Sequence, residues 1–125
     1  MIASYPRTII PMNTIIKIAE QFGQLIVNAD YPAAYLLLSQ EAQKINSPET
    51  LKIAVEQMIA YALAPIQEVQ VMSDFILEDW PAKQEKDVAI VYISLTGEGF
   101  CEAVTVTLAQ EADNLRIRYL EWGRP

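Results

Sequence analysis

Apolar residues recur every three or four positions through the first half of the chain, the spacing that gathers them on one face of a helix. Three helices are predicted, over residues 13–30, 29–44 and 47–65. Asn13 or Thr14 can cap the first helix, and Ser47 followed by a proline is typical of the start of the third. Gly23 lies inside the first helix and indicates close approach of another element. Residues 1–12, which contain two prolines, are predicted to form an extended arm.

In the second half of the chain the apolar spacing changes to every second position, the pattern of a strand with one buried face. Four strands are predicted, over residues 66–80, 88–96, 100–109 and 115–122. The Gly-Glu-Gly stretch at residues 97–99 indicates a hairpin turn, and residues 111–114 indicate another. Helices followed by hairpin-linked strands predict a single α+β domain over residues 1–125. Its three helices pack on one face of a mainly antiparallel sheet of four or more strands.

Turns centred on Glu98–Gly99 and Asp113–Asn114 predict which strand residues face each other. They place Val91 opposite Val106, and Val106 opposite Glu121. The inward face then carries the core and two carboxylates, whereas the outward face is half apolar. A half-apolar outward face is typical of a subunit interface, which predicts a homodimer. The predicted interface residues are Ile90, Tyr92, Thr105, Arg118, Leu120 and Trp122. The alternative is a tryptophan that is exposed alone or covered by the arm.

Charge and composition narrow the possible partners. The net charge is −7 without any basic cluster, which argues against nucleic acid and anionic membranes. The chain has no histidine and one cysteine, Cys101, so neither a zinc site nor a Ser-His-Asp triad is expected. No metal or cofactor is predicted. The single cysteine fits a reducing compartment. The chain also lacks a signal-peptide pattern and an apolar run that could span a bilayer, so a soluble cytoplasmic protein is predicted.

Three stretches resemble the nuclear transport factor 2-like superfamily. They are NADYPAAYLLLS after the first helix, SPETLKIAVEQM in the third helix, and the segment from Val91 to Trp122, whose last strand carries Leu115, Arg116 and Ile117. The resemblance runs from about Asn13 onward. It implies a cone-shaped α+β fold with a curved sheet wrapped around the helices, a pocket at the wide end, and frequent dimers through the outer sheet face. The superfamily includes isomerase-like, dehydratase-like and cyclase-like enzymes, transport factors and association domains. None of the isomerases' catalytic residues is matched position by position, and the pocket histidine common in the cyclases and dehydratases is absent.

Glu102 and Glu121 are the candidate catalytic bases, because an inward carboxylate that is desolvated has a raised pKa. Tyr119 is predicted on the same face as Glu121 and can donate a hydrogen bond to a ligand oxygen. In the alternative interpretation both glutamates lie at strand ends that water reaches, or Glu121 is paired with Arg124 or Arg7. The predicted pocket-lining residues are Phe22, Tyr35, Tyr61, Val91, Val106 and Tyr119.

Three functions remain open from the sequence. The first is a dimeric domain whose pocket binds a small, partly apolar molecule or a protein segment. The second is a cofactor-free isomerase, dehydratase or cyclase that uses a pocket carboxylate. The third is a structural association module whose outer sheet face is itself the functional surface. Fold class alone cannot choose among them, because one architecture supports many functions.

Overall fold

The computed structural model describes residues 10–124. The predicted arm therefore lies outside the described residues except at its end, where Pro11 precedes the first helix. The helices are α1 (Met12–Val27), α2 (Tyr31–Leu36), α3 (Gln40–Ile45) and α4 (Pro48–Met58). The strands are β1 (Ile66–Val71), β2 (Asp87–Gly97), β3 (Phe100–Glu111) and β4 (Asn114–Trp122). The predicted α+β class is confirmed.

The sheet is an antiparallel meander in which each strand pairs with its neighbour in the chain, in the order β1-β2-β3-β4. Buried apolar residues fill the space between its inner face and the helices. Phe22 of α1, Leu51 of α4, Val91 of β2 and Val106 of β3 each have almost no exposed surface. Burying large side chains between the two layers is the main stabilising contribution to such a fold.

The predicted second helix is divided in two, so the described residues contain four helices instead of the expected three. Residues 37–39 are drawn out along the outer edge of β4. The Ser39 N–H donates to the Ile117 carbonyl at 2.8 Å, and the Ile117 N–H donates to the Leu37 carbonyl at 2.9 Å. The Ser39 hydroxyl then caps α3 by accepting from the Ala42 N–H at 3.1 Å. Part of the β4 edge thus obtains partners for its backbone groups, which explains the break in the helix.

The predicted first strand is also interrupted. After β1 a single 3-10 turn at Ser73–Phe75 leads the chain away from the sheet. The chain rejoins β2 at Leu77, which exchanges two backbone hydrogen bonds of 3.0 and 2.8 Å with Ile90. Leu77 and Ile90 therefore lie side by side on the same face of the sheet.

The predicted pairing of β2 with β3 is confirmed. Leu95 faces Glu102 and Val91 faces Val106, and the turn is formed by Glu98 and Gly99. The prediction for Gly23 is confirmed too. A Cβ atom at this position would lie 2.5 Å from Cγ1 of Val69, so only glycine allows α1 to approach the sheet this closely.

The predicted pairing of β3 with β4 is wrong. The turn lies at Ala112 and Asp113, one residue earlier than predicted, so Leu108 faces Ile117 and not Tyr119. Thr107 then faces Tyr119, so Arg118 is an extra residue in a β-bulge. Because strand side chains alternate, one extra residue exchanges the faces of everything beyond it. The earlier turn and the bulge together place Val106 opposite Leu120 and not Glu121.

Because of the bulge, four residues lie on the face of the sheet opposite to the predicted one. Leu120 and Trp122, predicted to point outward, pack against the core, and the Trp122 ring centroid lies 6.3 Å from that of Phe22. Tyr119 and Glu121, predicted to point inward, are exposed on the outer face.

Candidate functional site

The residues predicted to line a pocket do not come together around a cavity. Phe22, Val91 and Val106 are fully buried in the packed core. Tyr35 is half-buried and packs against the core from the helical layer. Tyr61 is exposed in the connection after α4, and Tyr119 lies on the opposite face of the sheet. The interior at these positions is packed with side chains instead of open to a ligand.

Open grooves lie elsewhere on the surface. A groove of about 680 Å³ runs between α1 and the edge strand β1, a second of about 920 Å³ lies beside Trp80, and a third of about 340 Å³ lies beside Asp87. None of the six predicted pocket residues lines these three grooves. Within residues 10–124 there is also no group of three or more Cys, Asp or Glu side chains that could hold a metal ion.

Glu102 is the one predicted catalytic carboxylate that points inward, and it is only 8% exposed. It accepts a hydrogen bond of 2.7 Å from the Tyr61 hydroxyl on Oε2, and Nε of Arg124 lies 3.7 Å from its Oε1. Of the two arginines proposed for Glu121, Arg124 therefore pairs with Glu102 instead, and Arg7 lies outside the described residues. Both oxygens have a protein partner, so the carboxylate is held in place by its neighbours.

This cluster joins three separate parts of the chain. Tyr61 follows α4, Glu102 lies in β3 and Arg124 follows β4, and the Tyr61 ring packs edge-on against Phe100. The hydrogen bond to Glu102, followed by desolvation and by the charge of that carboxylate, raises the pKa of Tyr61 above its usual value. Such an arrangement stabilises the end of the sheet. It does not provide a free base beside a cavity.

The outer face of the sheet carries a row of cross-strand neighbours, Leu77, Ile90, Thr107 and Tyr119, one from each strand or strand extension. The row is partly apolar, and Leu77 and Tyr119 are 49% and 52% exposed. The helices cover the other face, so this row faces away from the core. Between these two exposed residues Ile90 is half-buried and Thr107 is buried. Exposed aromatic and aliphatic side chains on one sheet face are typical of an interaction surface.

A second row lies next to the first, at the level of Tyr92, Thr105 and Glu121. Tyr92 and Thr105 are half-buried, and Glu121 is exposed. Together the two rows define the outer patch: Leu77, Ile90, Thr107, Tyr119, Tyr92, Thr105 and Glu121. It contains three of the predicted interface residues, Ile90, Tyr92 and Thr105.

Arg118 and Asp87 form a salt bridge beside the outer patch. The guanidinium donates from Nε to Oδ1 at 2.6 Å and from Nη2 to Oδ2 at 2.8 Å, and the Gln84 N–H donates to Oδ2 at 2.8 Å. Burial by itself would raise the pKa of Asp87. The hydrogen bonds from Arg118 and Gln84 and the positive charge of Arg118 outweigh it, so the pKa lies below its usual value.

Sequence reasoning missed Asp87 and Leu77. Asp87 stands at the end of the stretch AKQEKD, which has the composition of a solvated turn, and its partner is 31 residues away in the chain. Leu77 falls within the continuous strand predicted over residues 66–80, and its side of the sheet depends on the 3-10 turn that precedes it. Neither placement has a local signal in the sequence.

Comparison with protein-family models, with curated proteins and with solved structures gives no match to this chain. No helix in the described part of the chain is long and apolar enough to cross a membrane.

Proposed function

We propose that this protein is an association module that forms a homodimer through the outer patch. The observation that supports this is the row Leu77, Ile90, Thr107 and Tyr119 on the sheet face opposite the helices, whose two end residues, Leu77 and Tyr119, are exposed. Tyrosine is among the residues enriched in protein interfaces, and Tyr119 lies at the β4 end of the row, beside Thr107. Tyr119 and Leu77 take the place of Leu120 and Trp122 in the predicted interface.

The size of the face supports a second copy as the partner. Four strands spaced about 4.8 Å apart, with an average length of about 30 Å, give roughly 600 Å² of flat area before side-chain relief is counted. A stable interface buries about 800 Å² of accessible surface on each partner, so the face is of the right order. Its charges are of both signs, with Arg116 on one side of Tyr119 and Glu121 on the other. Two identical faces can therefore be complementary despite the net charge of −7.

The proposal includes the nuclear transport factor 2-like architecture. Support comes from the order of elements, with helices first and an antiparallel meander after them. We also propose a cytoplasmic location, and the free, exposed thiol of Cys101 is compatible with such a reducing compartment. The packed core at Phe22, Val91 and Val106 favours association over the small-molecule pocket.

Replacing Tyr119 with Asp tests the proposal. We expect the wild-type protein to have about twice the 14.1 kDa mass of one chain in light scattering, and the variant to have the mass of one chain. A charge placed on a residue that association would desolvate opposes association.

The matched control is Ile45→Asp, which puts a charge on an exposed apolar residue of α3, outside the outer patch. It should leave the dimer intact. A wild-type mass of one chain at all concentrations would refute the proposed function, and so would a Tyr119→Asp variant that remains folded and dimeric.

A further inference from the structure

The charges on β4 indicate how two copies would face each other, an inference that rests on the proposed function. Arg116 and Glu121 are five positions apart, which corresponds to about 15 Å along a strand. Within residues 10–124 neither side chain takes part in a salt bridge. Arg116 donates one hydrogen bond, to the Leu36 carbonyl at 3.0 Å, and that neutral acceptor leaves its charge uncompensated. The other nearby arginine, Arg118, is neutralised by Asp87.

Tyr119 lies close to the midpoint between these two charges. Two sheets that pack face to face as identical subunits are related by a two-fold axis in the plane between them. If this axis runs across the strands at the level of Tyr119, β4 of one copy lies over β4 of the other in the opposite direction. Arg116 of each copy then comes over Glu121 of the other, and the two Tyr119 rings meet at the axis.

We infer that the dimer axis crosses the strands along the row Leu77, Ile90, Thr107 and Tyr119, so that two Arg116–Glu121 ion pairs flank it. The apolar row then occupies the centre and the charges the rim, the usual distribution in protein interfaces. An axis parallel to the strands would lay β4 on β1 of the second copy. Glu121 would then lie at the level of Met72, which bonds to Tyr92 in the adjacent strand, and would have no basic partner.

A charge exchange between copies tests the inference. In a Glu121→Lys homodimer, Lys at position 121 faces Arg116 in both pairs. In an Arg116→Glu homodimer, Glu at position 116 faces Glu121 in both pairs, so each homodimer contains two pairs of like charges. Each variant alone should dimerise about tenfold more weakly than wild type, since each exposed pair contributes only a fraction of a kcal/mol and two pairs change sign. An equimolar mixture restores both pairs and should form heterodimers with nearly wild-type affinity, measured by light scattering and by native mass spectrometry. Arg116→Gln serves as a folding control that keeps a donor for the Leu36 carbonyl.

The native thiol provides an independent readout. Cys101 lies level with Thr96, six positions along β2 from Ile90, or about 20 Å from the inferred axis. The two Cys101 thiols would be about 40 Å apart, beyond the reach of a short bis-maleimide. In a Cys101→Ser background, Ile90→Cys places two thiols across the roughly 10 Å gap between packed sheets, so cross-linking is expected there.

The outcomes separate the inference from the proposed function. Heterodimer preference, with cross-linking at position 90 and none at Cys101, supports the crossed axis. If wild type is a dimer that Tyr119→Asp dissociates, but the charge variants show no heterodimer preference or Cys101 cross-links, the inferred axis is wrong and the association module stands. A wild-type protein that is monomeric at all concentrations overturns both.

Discussion

Asp87 is a carboxylate held in a buried position by three hydrogen bonds, two from Arg118 and one from the Gln84 N–H. The pair does more than neutralise two charges. Arg118 is the extra residue of the bulge in β4, so fixing its side chain on the outer face fixes the position of the bulge. One ion pair therefore helps to decide which side chains of the last strand enter the core.

Replacing Asp87 with Asn tests the importance of this pair. The variant leaves the Arg118 guanidinium without its counter-charge, and we expect the free energy of unfolding at neutral pH to fall by about 3 kcal/mol. The measurement is urea denaturation followed by circular dichroism. Asp74→Asn removes an exposed carboxylate and should change stability little. An equal effect of the two substitutions would contradict the assignment.

The same pair predicts a dependence of stability on pH. The folded-state pKa of Asp87 is lowered, so its contribution is present above the unfolded value of about 3.9 and is lost as pH falls through the folded pKa. Wild-type stability should therefore decline below about pH 4, and the decline should be shallower in Asp87→Asn. If the free energy of unfolding fell equally with pH in the two proteins, the prediction of a lowered Asp87 pKa would be wrong.

The Tyr61 hydroxyl is predicted to titrate above its usual value because it donates to the carboxylate of Glu102. In Glu102→Gln the negative acceptor is gone, so the Tyr61 pKa should move down toward about 10. Ultraviolet absorbance titration measures this, and Tyr61→Phe identifies which titration step belongs to Tyr61. An unchanged step in Glu102→Gln would contradict the hydrogen bond as the cause.

At the scale of elements, the two halves of the last strand differ in which side chains face the core. Before Arg118 the predicted faces hold, with Leu115 and Ile117 buried. After it the faces are exchanged, and Trp122 packs on Phe22. The tryptophan first expected to contact a partner subunit is instead part of the contact between β4 and α1.

Trp122→Ala should therefore reduce the stability of the fold. We expect a loss of about 2 to 4 kcal/mol, because a large ring is removed from its contact with the core. Trp80→Ala is a matched control, since Trp80 lies outside the core cluster and its ring faces Lys83. It should cost less than Trp122→Ala in the same chemical denaturation experiment. The reverse ranking would show that the bulge is misplaced.

The contact between α1 and the sheet depends on Gly23. Gly23→Ala improves helix propensity by about 1 kcal/mol, but the added Cβ would lie 2.5 Å from Cγ1 of Val69. We expect a net loss of about 1 to 2 kcal/mol from overpacking. In a Val69→Ala background the same substitution should be much less destabilising. A double-mutant cycle of unfolding free energies measures this coupling, and purely additive effects would contradict it.

At the scale of the whole molecule, a dimer links stability to concentration. If the outer patch associates, raising the protein concentration tenfold should stabilise the folded state by up to about 1.4 kcal/mol and raise Tm. The Tyr119→Asp variant should show no such dependence. Thermal unfolding at several concentrations distinguishes the two, and a wild-type Tm that does not change with concentration would argue against association.

Local signals in the sequence predicted a large part of this molecule. The period of the apolar residues separated helices from strands, and the Gly-Glu-Gly turn set the pairing of β2 with β3, as Val91 opposite Val106 demonstrates. These features depend on neighbours within a few residues, so propensity and spacing are sufficient to find them. The candidate carboxylate Glu102 was placed inward correctly for the same reason.

Only the tertiary structure decided the faces of the last strand, the division of the second helix and the role of Trp122. The bulge residue Arg118 is held by an ion pair to Asp87, 31 positions away, and the chain at the break before α3 forms hydrogen bonds to Ile117 across the fold. A single extra residue in a strand leaves the local pattern of apolar positions almost unchanged, yet it reverses every side chain that follows. The sequence alone therefore determined the class of fold and the faces of β2 and β3, while long-range contacts determined that Tyr119, and not Trp122, faces outward.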